Sequence, residues 1–301
     1  MLATFARIYP LYLITLLFLI IFFYLTGLPW GAPYNTVHAI WTNLLLIQSL
    51  HVQKNLTWNI PAWSISTEWY TYVIFPFLLF LFLGRKTIRL LLYILVILTG
   101  YWFLTNRLTQ TQTLDTTFDF GYLRCVLGFF TGVILYALYD RMKESSRFRG
   151  NGWFLTAGIL TFLLLYTGVS DLLIVGAMAC MVFAASLNAS RLSQVLSWKP
   201  LQVLGDISYS IYLWQIGLFS IILLVIRGQH IPYQGMFHTD ALHIGILGKW
   251  IVSISFNFIL ILISLASYRW LEKPARDYLN RKWIHHQAVT PSLAEPAPGV
   301  I

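Results

Sequence analysis

This chain of 301 residues predicts an all-α fold: a polytopic membrane helix bundle of about eight transmembrane helices with one short re-entrant or interfacial helix. Two observations carry that reading. Hydrophobic residues make up 58% of the sequence and charged residues only 10%, with a mean hydropathy of +0.69. That is too little charged surface for a soluble domain. Eight apolar runs are also long enough to cross ~30 Å of hydrocarbon. In lipid every backbone N–H and C=O must be satisfied within the chain, so these runs are helices.

The runs lie near 8–26, 66–83, 88–104, 118–139, 153–169, 171–188, 206–226 and 248–271. The first is too long for a signal-peptide core and lacks a convincing small-residue cleavage site, so it reads as a retained span. A ninth apolar stretch, Val37 to Leu50, is shorter and carries His38, Asn43 and Gln48. Charge decides its course. With eight spans and both termini cytoplasmic, fourteen Lys and Arg fall on inner segments and four, Lys54, Arg107, Arg227 and Lys249, on outer ones. The positive-inside rule requires such a bias. A crossing at 37–50 would move every later loop to the other side and destroy it. The stretch therefore dips in or lies along the interface.

The 153–169 and 171–188 runs meet at Ser170 and Asp171 as a helical hairpin. Residues 1–283 form the transmembrane domain. Residues 284–301, with Pro291, Pro296 and Pro298, have too little apolar content to fold and read as a disordered cytoplasmic tail. The net charge of +9 comes from short loops that set orientation, so the partner is the lipid bilayer, with no nucleic acid. Cys125 and Cys180 fall inside apolar runs, where small hydrophobic packing is their use.

Costly polar groups mark where chemistry is sought. Glu68 stands at the doorway of the second run, and a carboxylate beside hydrocarbon reads as a site or as an interfacial group among belt aromatics. Ser208, Tyr212 and Gln215 share one helical face, opposite Ile207, Ile211, Trp214 and Leu218. Such a stripe lines a cavity or bonds a neighbouring helix. Arg124 lies on the face of Gly121, Gly128 and Gly132. Gly128 and Gly132 form a small-xxx-small pair that would admit another helix, so Arg124 either faces protein or snorkels to the outer interface. Glu272 at a helix C-terminus opposes the macrodipole and needs a partner. Arg269 three residues back is the first candidate and Arg7 the second, giving a structural ion pair. His230, His238, His243 and Asp240 match no familiar ligand spacing, and no metal is expected.

Five segments together resemble the acyltransferase 3 family of integral membrane proteins. They are Arg7-Ile8-Tyr9-Pro10; Trp63-Ser64-Ile65-Ser66-Thr67-Glu68 running into Phe75-Pro76; and Leu123-Arg124 before Gly128-Phe129-Phe130-Thr131-Gly132. The other two are Leu204-Gly205-Asp206-Ile207-Ser208-Tyr209-Ser210-Ile211-Tyr212-Leu213-Trp214 and Ser267-Tyr268-Arg269-Trp270-Leu271-Glu272-Lys273-Pro274. The resemblance covers residues 5–275 in family order. It implies transfer of an acyl group, usually acetyl, from a cytoplasmic coenzyme A thioester to a hydroxyl of a carbohydrate or glycolipid acceptor. It places the protein in a bacterial inner membrane, with acyl-CoA as co-substrate.

The family usually has ten spans, the first carrying an arginine and the histidine thought to be the base. This chain opens at what resembles the third span, so that histidine has no counterpart, and Gln215 stands where the family commonly has histidine. On this reading Glu68 is the base, its pKa raised by desolvation, and Arg124 the charge-stabilising partner in a shared polar chamber. Trp63, Ser66, Tyr209, Tyr212 and Gln215 bind the acceptor, and Arg7 meets a coenzyme A phosphate. Alternatives are a catalytically inactive glycan-binding or partner-binding relative, a chain completed by a partner that supplies the missing spans, and a small-molecule transporter. The last is weakened by the lack of internal repeats.

Overall fold

The computed structural model describes residues 2–27, 34–79, 87–109, 113–145, 148–226 and 245–289, whose regular structure is helical throughout. In chain order the helices are α1 (Leu2–Thr26), α2 (Val37–Leu44), α3 (Trp63–Leu79), α4 (Thr87–Phe103), α5 (Gly121–Met142) and α6 (Asn151–Thr167). They continue as α7 (Asp171–Leu187), α8 (Arg191–Leu196), α9 (Lys199–Ile226), α10 (Ile246–Ser267) and α11 (Lys273–Val289). Wider π-helical turns occur at Gln48–Val52, Leu104–Leu108 and Tyr268–Glu272.

Each of the eight apolar runs coincides with a helix: α1, α3 to α7, α9 and α10. Among the described residues four stretches are long and apolar enough to cross a membrane, against the eight that the sequence predicts. They are Leu2–Thr26, Leu91–Leu108, Gly121–Met142 and Ile246–Lys282, and α6 and α7 are shorter apolar helices. Their surfaces are inverted relative to a soluble protein. Ile159, Phe162, Ile254 and Phe258 are exposed, while Thr15, Thr161, Ser210 and Ser264 are buried. Lipid-facing helices show that pattern, because hydrocarbon solvates apolar side chains and leaves hydroxyls to seek protein.

The chain divides into two compact units, Met1–Leu28 with Ile207–Ile301, and Pro29–Asp206. In the second, α3 and α5 run parallel: Trp63 meets Gly121 and Arg124, Thr71 meets Cys125, and Phe75 meets Phe129. Ile97, Tyr101 and Leu104 pack α4 against Phe130 and Ile134 of α5. Gly168, with φ +60, closes α6 in the left-handed conformation that glycine adopts without a Cβ clash. Asp171 opens α7 soon after, as the hairpin reading requires. At the end of α5, Lys143 donates to Asp140 at 2.8 Å, and that hydrogen bond, with the carboxylate's charge, raises the lysine pKa above its ordinary value.

At eight residues α2 is about 12 Å long, far short of a bilayer, in keeping with a 37–50 stretch that does not cross. It folds back onto the start of α3. Gln48 Nε2 donates to the Ala62 carbonyl (3.1 Å), Ser49 Oγ donates to the Trp63 carbonyl (2.9 Å), and Ser66 Oγ donates to the Leu46 carbonyl.

In the first unit α1 packs along α11 and the Tyr268–Glu272 turn. Helix α11 runs on to Val289, past the Trp283 boundary at which the sequence places a disordered tail. Residues 290–301 lie outside the described residues, as do His230, His238, Asp240 and His243.

Among the described residues the glycine pair of α5 is not tightly packed: a Cβ at Gly128 would touch the Tyr101 hydroxyl of α4 at 3.6 Å, and one at Gly132 would meet nothing within 4 Å. The close approach is at Gly121, where a Cβ would lie 2.9 Å from the Trp63 ring.

Candidate functional site

Arg124 lies one turn inside α5, on the face turned to α3. Its guanidinium sits 5.3 Å from the Trp63 ring centroid, and one N–H donates to the Leu114 carbonyl at 2.5 Å. The Leu114 N–H in turn donates to Asp171 Oδ2 at 2.5 Å. The backbone of one residue, Leu114, is thus held at both of its polar groups, by a cation on its carbonyl oxygen and a carboxylate on its N–H. Gly121 backs the indole from below. Among the described residues the arginine meets an aromatic face and a neutral carbonyl, with no carboxylate against its guanidinium.

Glu68 stands at the same level of α3. It is exposed, and Tyr72, one turn on, donates its O–H to Glu68 Oε1 at 2.8 Å. No contact among the described residues links Glu68 to Arg124. The Thr71–Cys125 contact (3.4 Å) lies at the level of both. Neither residue lines the recess around Gln48 or the apolar clefts of about 140 and 340 Å³ along α5 and α7.

The other residues assigned from sequence divide sharply. Trp63 is half-buried and carries the arginine. Ser66 is fully buried, donating to Leu46 and accepting from the Ser49 N–H (3.3 Å), so it binds chain to chain and has no face for a ligand. Tyr209 donates to the Ile8 carbonyl at 2.6 Å, a tie between α9 and α1. Tyr212 and Gln215 are half-buried, whereas Ser208 of the same stripe is exposed. The opposite face is the packed one: Ile207 and Leu218 are buried, and Trp214 lies edge-on to Phe18 at 5.2 Å. Arg7 is exposed at the start of α1, as a group meeting a soluble phosphate must be.

The Arg269–Glu272 ion pair is not formed. Arg269 is exposed, while Glu272 is 3% exposed and accepts from Ser210 Oγ at 2.7 Å. The reason is the π-helical turn at Tyr268–Glu272. Its bonds join residues five apart, so a spacing of three no longer places two side chains together. A spacing of five does, and it aligns Ser267 with Glu272. On α9 the matching residues are four apart: Ser210 reaches Glu272, and Trp214 Nε1 donates to Ser267 Oγ at 2.9 Å. One turn of each helix, about 6 Å on the α side, thus keeps both rungs in register.

Among the described residues no cluster of His, Cys, Asp and Glu could hold a metal ion. Sequence reasoning missed Asp171, Ser210, Ser267 and the Gln48 recess. Asp171 alone carried a signal, a carboxylate at the mouth of an apolar run. A family model described as an acyltransferase domain, that of the acyltransferase 3 family, matches residues 1–269. No curated protein and no solved structure matches the chain.

Proposed function

The chain belongs to the acyltransferase 3 family and is an acyltransferase, and on that premise we propose an integral membrane O-acyltransferase. It carries an acyl group, acetyl in the first instance, from coenzyme A to a hydroxyl of a glycan or glycosylated acceptor. The membrane is the bacterial inner membrane, with both termini cytoplasmic and the acceptor taken at the outer face. The observation that carries the site assignment is the Arg124 guanidinium, held over Trp63 by a neutral carbonyl with no carboxylate against it among the described residues.

The chemistry asks for two things. The acceptor O–H must lose its proton as its oxygen bonds the thioester carbon, and Glu68 is assigned that proton. A positioned base is worth about 10²–10⁴-fold. The carbonyl oxygen becomes an oxyanion until the C–S bond breaks, and Arg124 is assigned to it. The departing thiolate of coenzyme A leaves with its electron pair and is protonated by solvent. Arg7 is assigned to a phosphate of coenzyme A, as a charge-assisted contact. Tyr212 and Gln215 orient the acceptor.

The test uses the purified chain in phospholipid nanodiscs with radiolabelled acetyl-CoA and methyl glycosides as acceptors. Label should appear as an alkali-labile ester, and Glu68→Gln and Arg124→Ala should each lower transfer by about 10²–10⁴-fold. Undiminished transfer in both variants removes the site assignment. Glycoside binding without any transfer points instead to an inactive, glycan-binding relative.

A further inference from the structure

We infer that the recess beside Trp63 is an acceptor subsite that reads one sugar hydroxyl through the side-chain carbonyl of Gln48. The inference rests on the glycan-acceptor reading above and adds the residues that choose among acceptors. The buried floor of the recess is Gln48, Ser49 and Thr57, and its half-exposed rim includes Asn55, Trp63 and Phe118.

Each polar group on that floor can be accounted for except one. Ser49 Oγ donates to the Trp63 carbonyl, and Thr57 Oγ1 accepts from Asn43 Nδ2 at 2.8 Å. Gln48 is 5% exposed. Its Nε2 donates to the Ala62 carbonyl, which can only accept, so the orientation of the amide is settled. That leaves Gln48 Oε1, a buried acceptor with no hydrogen-bond partner among the described residues. Buried acceptors are almost always satisfied, so one left open among the described residues calls for a donor beyond them, and a bound hydroxyl supplies one.

The size of the space says what kind of donor. The recess holds about 10 Å³, room for one water-sized group. A hydroxyl fits, and a whole sugar ring does not. The ring itself would lie outside, against the aromatic rim of Trp63 and Phe118, while one O–H enters. Pockets that orient a ligand are built this way, with apolar walls and a few placed polar groups.

The backbone around the recess supports a built feature. Leu46, His51 and Trp58 all have positive φ (57°, 61° and 51°), a conformation non-glycine residues hold only where their surroundings impose it. The place is also apt. The Trp63 ring that borders the recess is the one under Arg124, so an acceptor anchored here lies within one indole of the group assigned to the oxyanion.

The experiment compares wild type with Gln48→Leu in nanodiscs, using methyl hexopyranosides and their mono-deoxy counterparts. Binding is read by saturation-transfer NMR without acyl-CoA, and transfer is read separately with labelled acetyl-CoA. One deoxy sugar should bind wild type about 10–100-fold more weakly than its parent, because its absence leaves Oε1 unpaired. Gln48→Leu should bind that pair equally. No glycoside binding, equal binding of every sugar by wild type, or unchanged discrimination in Gln48→Leu overturns the subsite; in the last two cases the recess holds only a water. Discrimination without transfer keeps the subsite and removes the enzymatic reading, whereas transfer without Gln48-dependent discrimination does the reverse. If Gln48→Leu does not yield a monodisperse protein, Gln48→Met and the rim variant Phe118→Ala carry the comparison, and discrimination intact in both overturns the subsite.

Discussion

Two carboxylates define the difference between the units. In the unit of α1 and α10, Glu272 is buried and takes a hydrogen bond from Ser210, while Trp214 answers Ser267 one turn away. In the unit of α3 and α5, Glu68 is exposed and held only by its neighbour Tyr72, Arg124 has a carbonyl and an indole, and Gln48 keeps an open acceptor. Ser264 apart, no buried side-chain polar atom of the first unit lacks a partner among the described residues. A saturated polar group in a helix bundle serves the fold. An unsaturated one is available to a ligand, and changing it should alter chemistry more than stability.

The largest expected effect follows from the unsaturated side. Glu68→Gln should lower acyl transfer by about 10²–10⁴-fold if it removes a positioned base. The unfolding temperature of the detergent-solubilised protein should stay unchanged, because the side chain is exposed. A fall in unfolding temperature with transfer intact would place Glu68 among the structural carboxylates and erase the contrast.

Next comes Glu272→Ala, which strands the buried Ser210 hydroxyl and should cost about 1–3 kcal/mol of stability. Arg269→Ala, at an exposed position, should cost less than about 0.5 kcal/mol. Equal losses in the two variants, measured by denaturant or thermal unfolding, would restore the ion pair that the sequence suggested. Gly121→Ala is expected to act on both readouts. Its Cβ would lie 2.9 Å from the Trp63 ring, so the indole under Arg124 must shift. We expect about 1–3 kcal/mol of destabilisation together with a fall in transfer of at least about tenfold, and an unaltered rate would show that the indole does not position the arginine.

The eight apolar runs are legible because hydrocarbon demands length and low charge, and both are countable. Partners are less so. The pairing of Arg269 with Glu272 assumes 3.6 residues per turn, and nothing in Tyr268-Arg269-Trp270-Leu271-Glu272 announces a π-helical turn. The stripe Ser208, Tyr212, Gln215 is a correct helical face, but the serine that matters is Ser210, on the packed side among Ile207 and Leu213. A lone serine there looks like filler, because a hydroxyl's value depends on what faces it. The Gln48 recess was hidden for a different reason. It is shaped by left-handed turns at Leu46, His51 and Trp58, and neither leucine nor tryptophan favours such a conformation. Trp63, Glu68 and Arg124 stand out in the sequence because a charged or large amphipathic side chain beside lipid is conspicuous in any context.

The smallest effect is the most discriminating for the saturated unit. Trp214→Phe keeps an aromatic ring near Phe18 but removes the N–H that reaches Ser267 together with part of the indole. The hydrogen-bond part of the loss should be about 0.5–1.5 kcal/mol, beside the packing lost with the smaller ring. Ser267→Ala should cost the hydrogen-bond part alone, and the double variant little more than Trp214→Phe, since both remove one bond. Catalysis should be unaffected throughout. Additive losses would mean that the two residues answer other partners and that the α-helical and π-helical turns are not in register. In that case the burial of Glu272 would need a cause other than this two-rung match, and the division between saturated and unsaturated polar groups would lose its clearest instance.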